Sequence, residues 1–329
     1  MNIVRVPFRV SLFGGGTDFE HFYLKKNATV ISFTIDKYCY ITIRKLLSSY
    51  YKVKYRLYWA KLEEVETINQ LTHPSVRACL KYLDIKDPLE IHTVGDLPAR
   101  SGLGSSSAFT AALLSGLSMY KDIPFDASKI ADQTIFVEQK LLKEEVGVQD
   151  QIQVCHGGFN VTTIFSDSKY SILSLNNSSK VVKEIGNSLI LVYSGISRNS
   201  SDIHKDQIAI LDAEKSLQSL KKINSIAEEF AAKLTSHSAD FNCFKSLLQE
   251  SWEAKSSLFP EGQISEELLS IYNLGIKSGA ACGKLLGAGG GGFFAFFVSP
   301  ILQESFIKKM SKYICIPAEI NFSGIERIL

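Results

Sequence analysis

The chain has 329 residues, 45% of them hydrophobic and 21% charged, which supplies a large core and argues against long disorder. Its 36 Lys and Arg against 34 Asp and Glu leave a formal charge of +2, so no field able to hold nucleic acid or an anionic membrane is implied, and a bound anion must meet a local site. The six cysteines (Cys39, Cys79, Cys155, Cys243, Cys282, Cys315) form no CxxC pair, which points to free thiols in a reducing cytoplasm rather than to a disulfide or metal framework.

The first residues carry basic side chains inside an apolar run and no small-residue cleavage site, so they do not read as a signal peptide. Short runs of β-branched and aromatic residues predict strands over 3–7, 29–35, 38–44 and 53–58. Arg9 stands among apolar neighbours, where a charge is costly unless paired, so it needs a carboxylate or phosphate partner. Beyond it, Gly14, Gly15, Gly16 and Thr17 lead to Asp18. That acid suits either the hydroxyls of a sugar or an Asx-type turn, and the residues alone leave both open.

A helix is predicted over 74–83 and a strand over 89–94. Next comes the segment Pro98, Ala99, Arg100, Ser101, Gly102, Leu103, Gly104, Ser105, Ser106, Ser107, Ala108, feeding into a strongly helical stretch. Gly102 and Gly104 lack a Cβ, so the backbone can turn with positive φ and its amides can approach a phosphate. The serines fall where the next helix begins, at unpaired N–H groups and the positive end of the dipole. Their hydroxyls can also ligate Mg²⁺. A serine cap after a glycine turn is the plainer alternative. The P-loop pattern GxxxxGK[ST] is absent, so a nucleotide held here would use a different phosphate loop.

A helix is predicted over 126–145, opened by Asp126 as N-cap and carrying Glu138; Asp150 follows beyond Gly147. Phosphoryl transfer needs a metal on the phosphates, an aligned hydroxyl and a group that takes or orients its proton. Two carboxylates and a cation suffice, although either acid alone also reads as a solvated surface group. Strands are predicted over 160–165, 170–175 and 188–193. The Asn, Ser and Lys cluster at 178–186 suggests a boundary dividing the chain into 1–185 and 186–329.

From 200 to 278 the pattern is mostly helical, with breaks near 235–240 and 259–263. The end of the chain reads as a strand, a glycine run, a second strand and a helix over 301–313. Gly287, Gly289 and Gly292 satisfy GxGxxG, but a strand-like FFAFFV follows where a dinucleotide site requires a helix. A tight loop is the better reading, either plain hairpin geometry or a wall that admits a ligand. The apolar stretch 285–298 is shorter than the about 20 residues of a membrane span. The six histidines show no HExxH spacing, there is no GxSxG elbow, and the aromatic residues lack an RNA-binding pattern.

In this order, VPFRVSLFGGGTDF, PARSGLGSSSA and KLLGAGGGGF resemble the three motifs of the GHMP kinases, the superfamily of galactokinase, homoserine kinase and mevalonate kinase. The resemblance implies an α+β fold of two domains, an N-terminal α/β domain carrying the phosphate loop and a ferredoxin-like C-terminal domain. It also implies ATP as co-substrate, with Pro98, Ser101, Gly102, Leu103, Gly104, Ser105, Ser106, Ser107, Gly289 and Gly290 around it. Carried over by position, Ser106 and Glu138 would ligate Mg²⁺, Asp150 would be the catalytic base, and Arg9 would stand where several relatives carry lysine. An arginine can orient Asp150 but exchanges no proton at ordinary pH. Gly15, Gly16, Thr17 and Asp18 would meet the substrate.

SLFGGGTDF, TIDKYCYI, HPSVRACLKYL and GDLPARSGLGSSSAF look more closely like the D-glycero-D-manno-heptose 7-phosphate kinases, which phosphorylate the anomeric C1 hydroxyl in nucleotide-activated heptose synthesis. That substrate already carries a phosphate, so a second anion site is implied, with Arg44, Arg56, Arg100 and above all Arg198 as candidates. The expectation is a cytoplasmic sugar-phosphate kinase, monomer or homodimer, without nucleic-acid or membrane partners. A kinase for another sugar such as fucose or an N-acetylhexosamine, a non-catalytic sugar sensor of the same fold, and a dinucleotide-binding protein are the alternatives.

Overall fold

In the computed structural model, residues 1–99, 101–196, 214–256, 265–287 and 289–329 are described. Strand β1 (Asn2–Phe13) is followed by a short helix α1 (Glu20–Tyr23) and by β2 (Ala28–Lys45). The segments predicted as separate strands at 29–35 and 38–44 are thus one long strand, because β1 pairs with it on both sides of Asp36 and Lys37. Then come α2 (Ser48–Tyr51), the hairpin β3 (Tyr55–Tyr58) and β4 (Leu62–Val65), α3 (Pro74–Tyr82) and β5 (Leu89–Gly95). Next are α4 (Ser105–Tyr120), α5 (Ala127–Ile135), α6 (Gln149–His156), β6 (Phe159–Ile164), β7 (Tyr170–Leu175) and α7 (Lys180–Ser188).

The remainder is β8 (Leu189–Tyr193), α8 (Glu214–Thr235), α9 (Phe241–Ser256), α10 (Glu266–Ser278), β9 (Cys282–Leu285), β10 (Phe293–Phe297), α11 (Gln303–Lys309), β11 (Ile314–Pro317), β12 (Ile320–Asn321) and β13 (Glu326–Arg327). A nine-stranded sheet has the order β13-β1-β2-β5-β3-β4, with β6 pairing β2 and β7, and β12 pairing β2. A second, four-stranded sheet has the order β11-β8-β10-β9 and is antiparallel throughout. Its path of strand, helices, hairpin, helix and strand is the ferredoxin-like arrangement, so the chain is α+β as expected.

The segment 178–186 is not a linker. Helix α7 buries Val181, Val182 and Ile185 on one face, a short period that the surrounding Asn, Ser and Lys hide from composition. We propose the division 1–185 and 186–329 as the point where the chain passes from one sheet to the other, although β12 and β13 return to the first. One apolar cluster runs through both sheets, and Phe13, Phe230, Phe244 and Phe297 join them by ring contacts of 4.9 to 6.0 Å. All six cysteines are free. Among the described residues no helix is long and apolar enough to cross a membrane.

Candidate active site

Register irregularities in β1 on either side of Arg9, between Pro7 and Arg9 and between Ser11 and Phe13, bend the strand beside the phosphate loop. Arg9 is 5% exposed. Its Nε donates to Asp150 Oδ1 at 2.7 Å and its Nη2 to Oδ2 at 2.6 Å, a two-pronged pair. Nη1 donates to the Gly102 carbonyl at 2.6 Å, and the Arg9 backbone N–H to the Leu103 carbonyl at 3.0 Å. One side chain therefore ties β1, the glycine-serine loop and the first turn of α6 together. Asp150 keeps 30% of its side chain exposed, so the carboxylate is fixed by Arg9 yet open on one side.

The loop departs from ordinary backbone where its glycines stand: Gly102 has φ +78 and Gly104 φ +70, and Gly104 is the N-cap of α4. A Cβ at Gly104 would lie 3.1 Å from Arg9 Cγ and 3.5 Å from Asp150 Oδ2. The first amides of α4 are thereby brought beside the Arg9–Asp150 pair. The second glycine run is a hairpin loop between β9 and β10, in line with the sequence reading and against a dinucleotide fold. It docks directly on the first: a Cβ on Gly287 would sit 2.6 Å from Gly102 Cα, one on Gly292 would sit 2.5 Å from the Ser101 carbonyl, and the Phe293 N–H donates to that carbonyl at 3.1 Å. Gly289 and Gly290 are buried in this loop, whereas Pro98 is exposed.

Helix α5 is shorter than the sequence suggests. Its N-cap Asp126 accepts from the Lys129 N–H as expected, but after Ile135 the chain makes a π-helical turn, Phe136–Leu141, a distortion frequent at functional sites. Glu138 lies in that turn and is 1% exposed. Its Oε2 accepts from Ser107 Oγ at 3.0 Å and from Gln151 Nε2 at 2.6 Å, while Oε1 has no partner among the described residues. Burial pushes the carboxyl up to about 8. Ser107 is the serine in contact with Glu138; Ser106, one position earlier, is exposed. A buried carboxylate beside the Ser107 and Thr110 hydroxyls, with one oxygen outside the hydrogen bonds among the described residues, fits a hard oxygen-seeking cation such as Mg²⁺.

Asp18 is buried and works within the fold. Its Oδ1 accepts from the Gly16 N–H at 2.9 Å and its Oδ2 from the Gln149 N–H at 3.2 Å, so it closes a turn and caps α6 at once. Each oxygen retains a second lone pair. Burial and the nearby Asp150 raise its proton affinity. Thr17 turns inward, donating to the Gly14 carbonyl at 2.8 Å, and Gly15 packs beside Ser11. Arg44 and Arg56 both pair with the buried Glu90 on the sheet, at 2.9 and 3.1 Å, and so are committed there. Arg100 and Arg198 lie outside the described residues.

Two cations escape a reading by motif. Lys284 in β9 is 3% exposed and donates to the Leu12 carbonyl at 2.6 Å; burial, with Lys255 and Arg9 nearby, pulls its proton affinity well down. Lys255 near the end of α9 donates to the Gly287 carbonyl at 2.8 Å. Burial and Arg9 lower it to about 8, against the pull of Asp18 and Asp150. A lysine inside the wholly buried strand Cys282–Leu285, and one in phase with the buried Leu248 and Trp252, were the available signals.

Taken as a whole, a glycine loop at a helix start, an ordered aspartate and a buried acid form an arrangement suited to phosphoryl transfer. Residues 71–158 match the family model of the GHMP kinases N terminal domain. The chain is 28% identical over 321 residues, 94% of its length and 92% of the other, to the D-glycero-alpha-D-manno-heptose 7-phosphate kinase of Campylobacter jejuni. It is also 28% identical over 214 residues to a bifunctional fucokinase/GDP-fucose pyrophosphorylase of Arabidopsis thaliana, covering 62% of this chain and 19% of that protein. The crystal structure of a D-glycero-D-manno-heptose 1-phosphate kinase from Bacteroides thetaiotaomicron superposes with a TM-score of 0.79 at 20% identity, covering 100% of this chain and 99% of that one. Residues 71–158 thus resemble the N-terminal domain of the GHMP kinases, and the whole chain has the fold of the solved heptose kinase.

Proposed function

We propose that the chain transfers the γ-phosphoryl group of ATP to the anomeric C1 hydroxyl of a D-glycero-D-manno-heptose 7-phosphate, giving the 1,7-bisphosphate in the cytoplasm as a monomer or homodimer. The observation that carries the chemistry is the two-pronged Arg9–Asp150 pair beside the phosphate loop, with Asp150 open on one side. The heptose acceptor is supported by likeness over 94% of the chain to the Campylobacter jejuni enzyme.

Asp150 accepts a hydrogen bond from the acceptor hydroxyl and aligns its oxygen with the γ-phosphorus. As the new O–P bond forms and the bond to the β–γ bridging oxygen breaks, the hydroxyl proton passes to Asp150 and ADP leaves. Arg9 is a positioning residue that holds the carboxylate and spares it a search among rotamers. Amides of 102–107 hold the phosphates, with Ser105 and Ser107 in the first turn of α4. Glu138 and Ser106 would hold Mg²⁺, which supplies charge neutralisation on the phosphate oxygens when bound. Asp18 and the turn at Gly15, Gly16 and Thr17 would face sugar hydroxyls, and Arg198 the substrate's own phosphate.

The test is ADP release against a panel of sugars and sugar phosphates, with phosphorus NMR of the product. Heptose 7-phosphate should give the fastest turnover and a new anomeric phosphate signal. D150N should lower kcat by about 10²- to 10⁴-fold with nucleotide binding retained. Turnover by D150N near the wild-type rate would remove Asp150 from this role. The Arabidopsis thaliana similarity favours one second reading, in which a fucose-type sugar outpaces the heptose phosphate in the same panel. A sensor without turnover has less support, since an aspartate held in place as Asp150 is by Arg9 is dispensable for binding alone.

A further inference from the structure

The roles given to Arg9, Asp150 and Glu138 leave the transferred group without a cationic side chain of its own. Arg9 has Nε, Nη1 and Nη2 all engaged, by Asp150 and by the Gly102 carbonyl, so its charge is spent on holding the base. Lys284 is sealed behind the strand, 3% exposed, with its ammonium on the Leu12 carbonyl. Lys255 differs from both. It is half-buried, its hydrogen bond to the Gly287 carbonyl at 2.8 Å uses one of three ammonium hydrogens, and among the described residues no carboxylate stands within ion-pair distance of it.

Its position is fixed by the docked loops. Gly287, which accepts from Lys255, lies against Gly102 so closely that a Cβ there would be 2.6 Å from the Gly102 Cα. Arg9, Asp18 and Asp150 are all near enough to act on the Lys255 charge. The lysine therefore hangs at the seam of the two glycine loops, one of which is tied through the Gly102 carbonyl to the Arg9 that holds Asp150. On the phosphotransfer reading, a phosphoryl group passing from loop-bound ATP to a hydroxyl on Asp150 would travel close to that seam. An ammonium half-removed from water with two free hydrogens is a costly arrangement that an anionic guest would relieve.

We propose that Lys255 binds the γ-phosphoryl group of ATP and neutralises charge on it as it moves to the acceptor, a role that rests on the phosphotransfer reading above. The probes are ADP and a non-hydrolysable ATP analogue, titrated by calorimetry into wild type, K255M and K255R, with steady-state kinetics alongside. K255M should weaken the triphosphate analogue about 10- to 100-fold, as expected for loss of a charge-assisted bond, while ADP affinity stays within about twofold. Its kcat should fall about 10³-fold with KM for the sugar phosphate little changed, and K255R should recover part of the loss. A purely structural lysine would shift ADP and the analogue together.

The proposal is overturned if K255M turns over as wild type does or loses ADP and analogue affinity equally. It is also overturned if the loss appears as a raised KM for sugar phosphate and not for the unphosphorylated sugar, which would place Lys255 on the acceptor. Thermal unfolding monitors the fold, and K255Q replaces K255M if the methionine variant does not fold. Absence of ADP release from wild type with every sugar phosphate would sink the assigned function, while the difference between analogue and ADP binding would still decide the place of Lys255.

Discussion

At the scale of single residues, the buried acid Glu138 sets a trade between stability and function. Its carboxyl is raised from 4.5 to about 8 by burial, so the folded chain holds that proton more tightly than the unfolded chain does. The resulting stabilisation is whole below the unfolded value and is lost as pH rises through about 8. E138Q keeps an oxygen acceptor for Ser107 and Gln151 but carries no titrating group. Metal-free wild type should therefore lose melting temperature relative to E138Q as pH goes from about 6 to about 9. Magnesium with nucleotide should stabilise wild type at pH 8 and leave E138Q nearly unmoved, and activity should drop in the variant. Parallel melting curves across that range would show that Glu138 is not the acid that titrates.

Among elements, α6 is the one whose placement matters most and whose sequence announces it least. Its buried residues are mixed: Gln149, Gln151 and Gln153 turn inward together with Ile152, Val154 and Cys155. Gln149 is met by Ser11, Gln153 by Ser32 and the Gly158 carbonyl, and Gln151 donates to Glu138 while its own Oε1 has no partner among the described residues. Inward amides break up the apolar pattern, so QDQIQVCH does not announce a helix. Its start is set by Asp18, and that acid fits only because Gly147 has no side chain: a Cβ there would lie 1.9 Å from Asp18 Oδ2. G147A should push Asp18 off the Gln149 amide, cost about 1–3 kcal/mol of stability and lower kcat about 10- to 100-fold by misplacing Asp150. D18A combined with G147A should cost less than the sum of the two, since both remove one cap. Strict additivity would show that the two residues do not act together.

The same contrast explains what else the sequence disclosed. Strands such as β5 and β10, and helix α4, carry strong apolar signals and stand where composition puts them. The glycine loops were legible because conformations such as φ +78 at Gly102 require that residue type. The π-turn around Glu138, the joining of β2 into one strand and the cations Lys255 and Lys284 depend on partners distant in sequence, which local pattern does not encode.

For the whole molecule, the site exists only while the two sheets stay docked, since the phosphate loop comes from one part of the chain and its glycine wall from the other. The aromatic contacts of Phe13 with Phe230 and with Phe244 hold the parts together apolarly, and the loops meet backbone to backbone. That close approach separates two glycines of similar conformation. Gly287 has φ +73 with Gly102 Cα 2.6 Å from a built Cβ, whereas Gly195 has φ +75 with nothing within 4 Å among the described residues. G195A should carry only the left-handed backbone cost of about 1–2 kcal/mol and leave nucleotide affinity unchanged. G287A carries the same cost and must also part the two loops, so ATP affinity should fall at least about tenfold beyond that of G195A. Calorimetric titration of both variants with the triphosphate analogue measures the difference. Equal affinities would mean that the loops bind nucleotide without touching, and the seam on which Lys255 hangs would lose its part in the site.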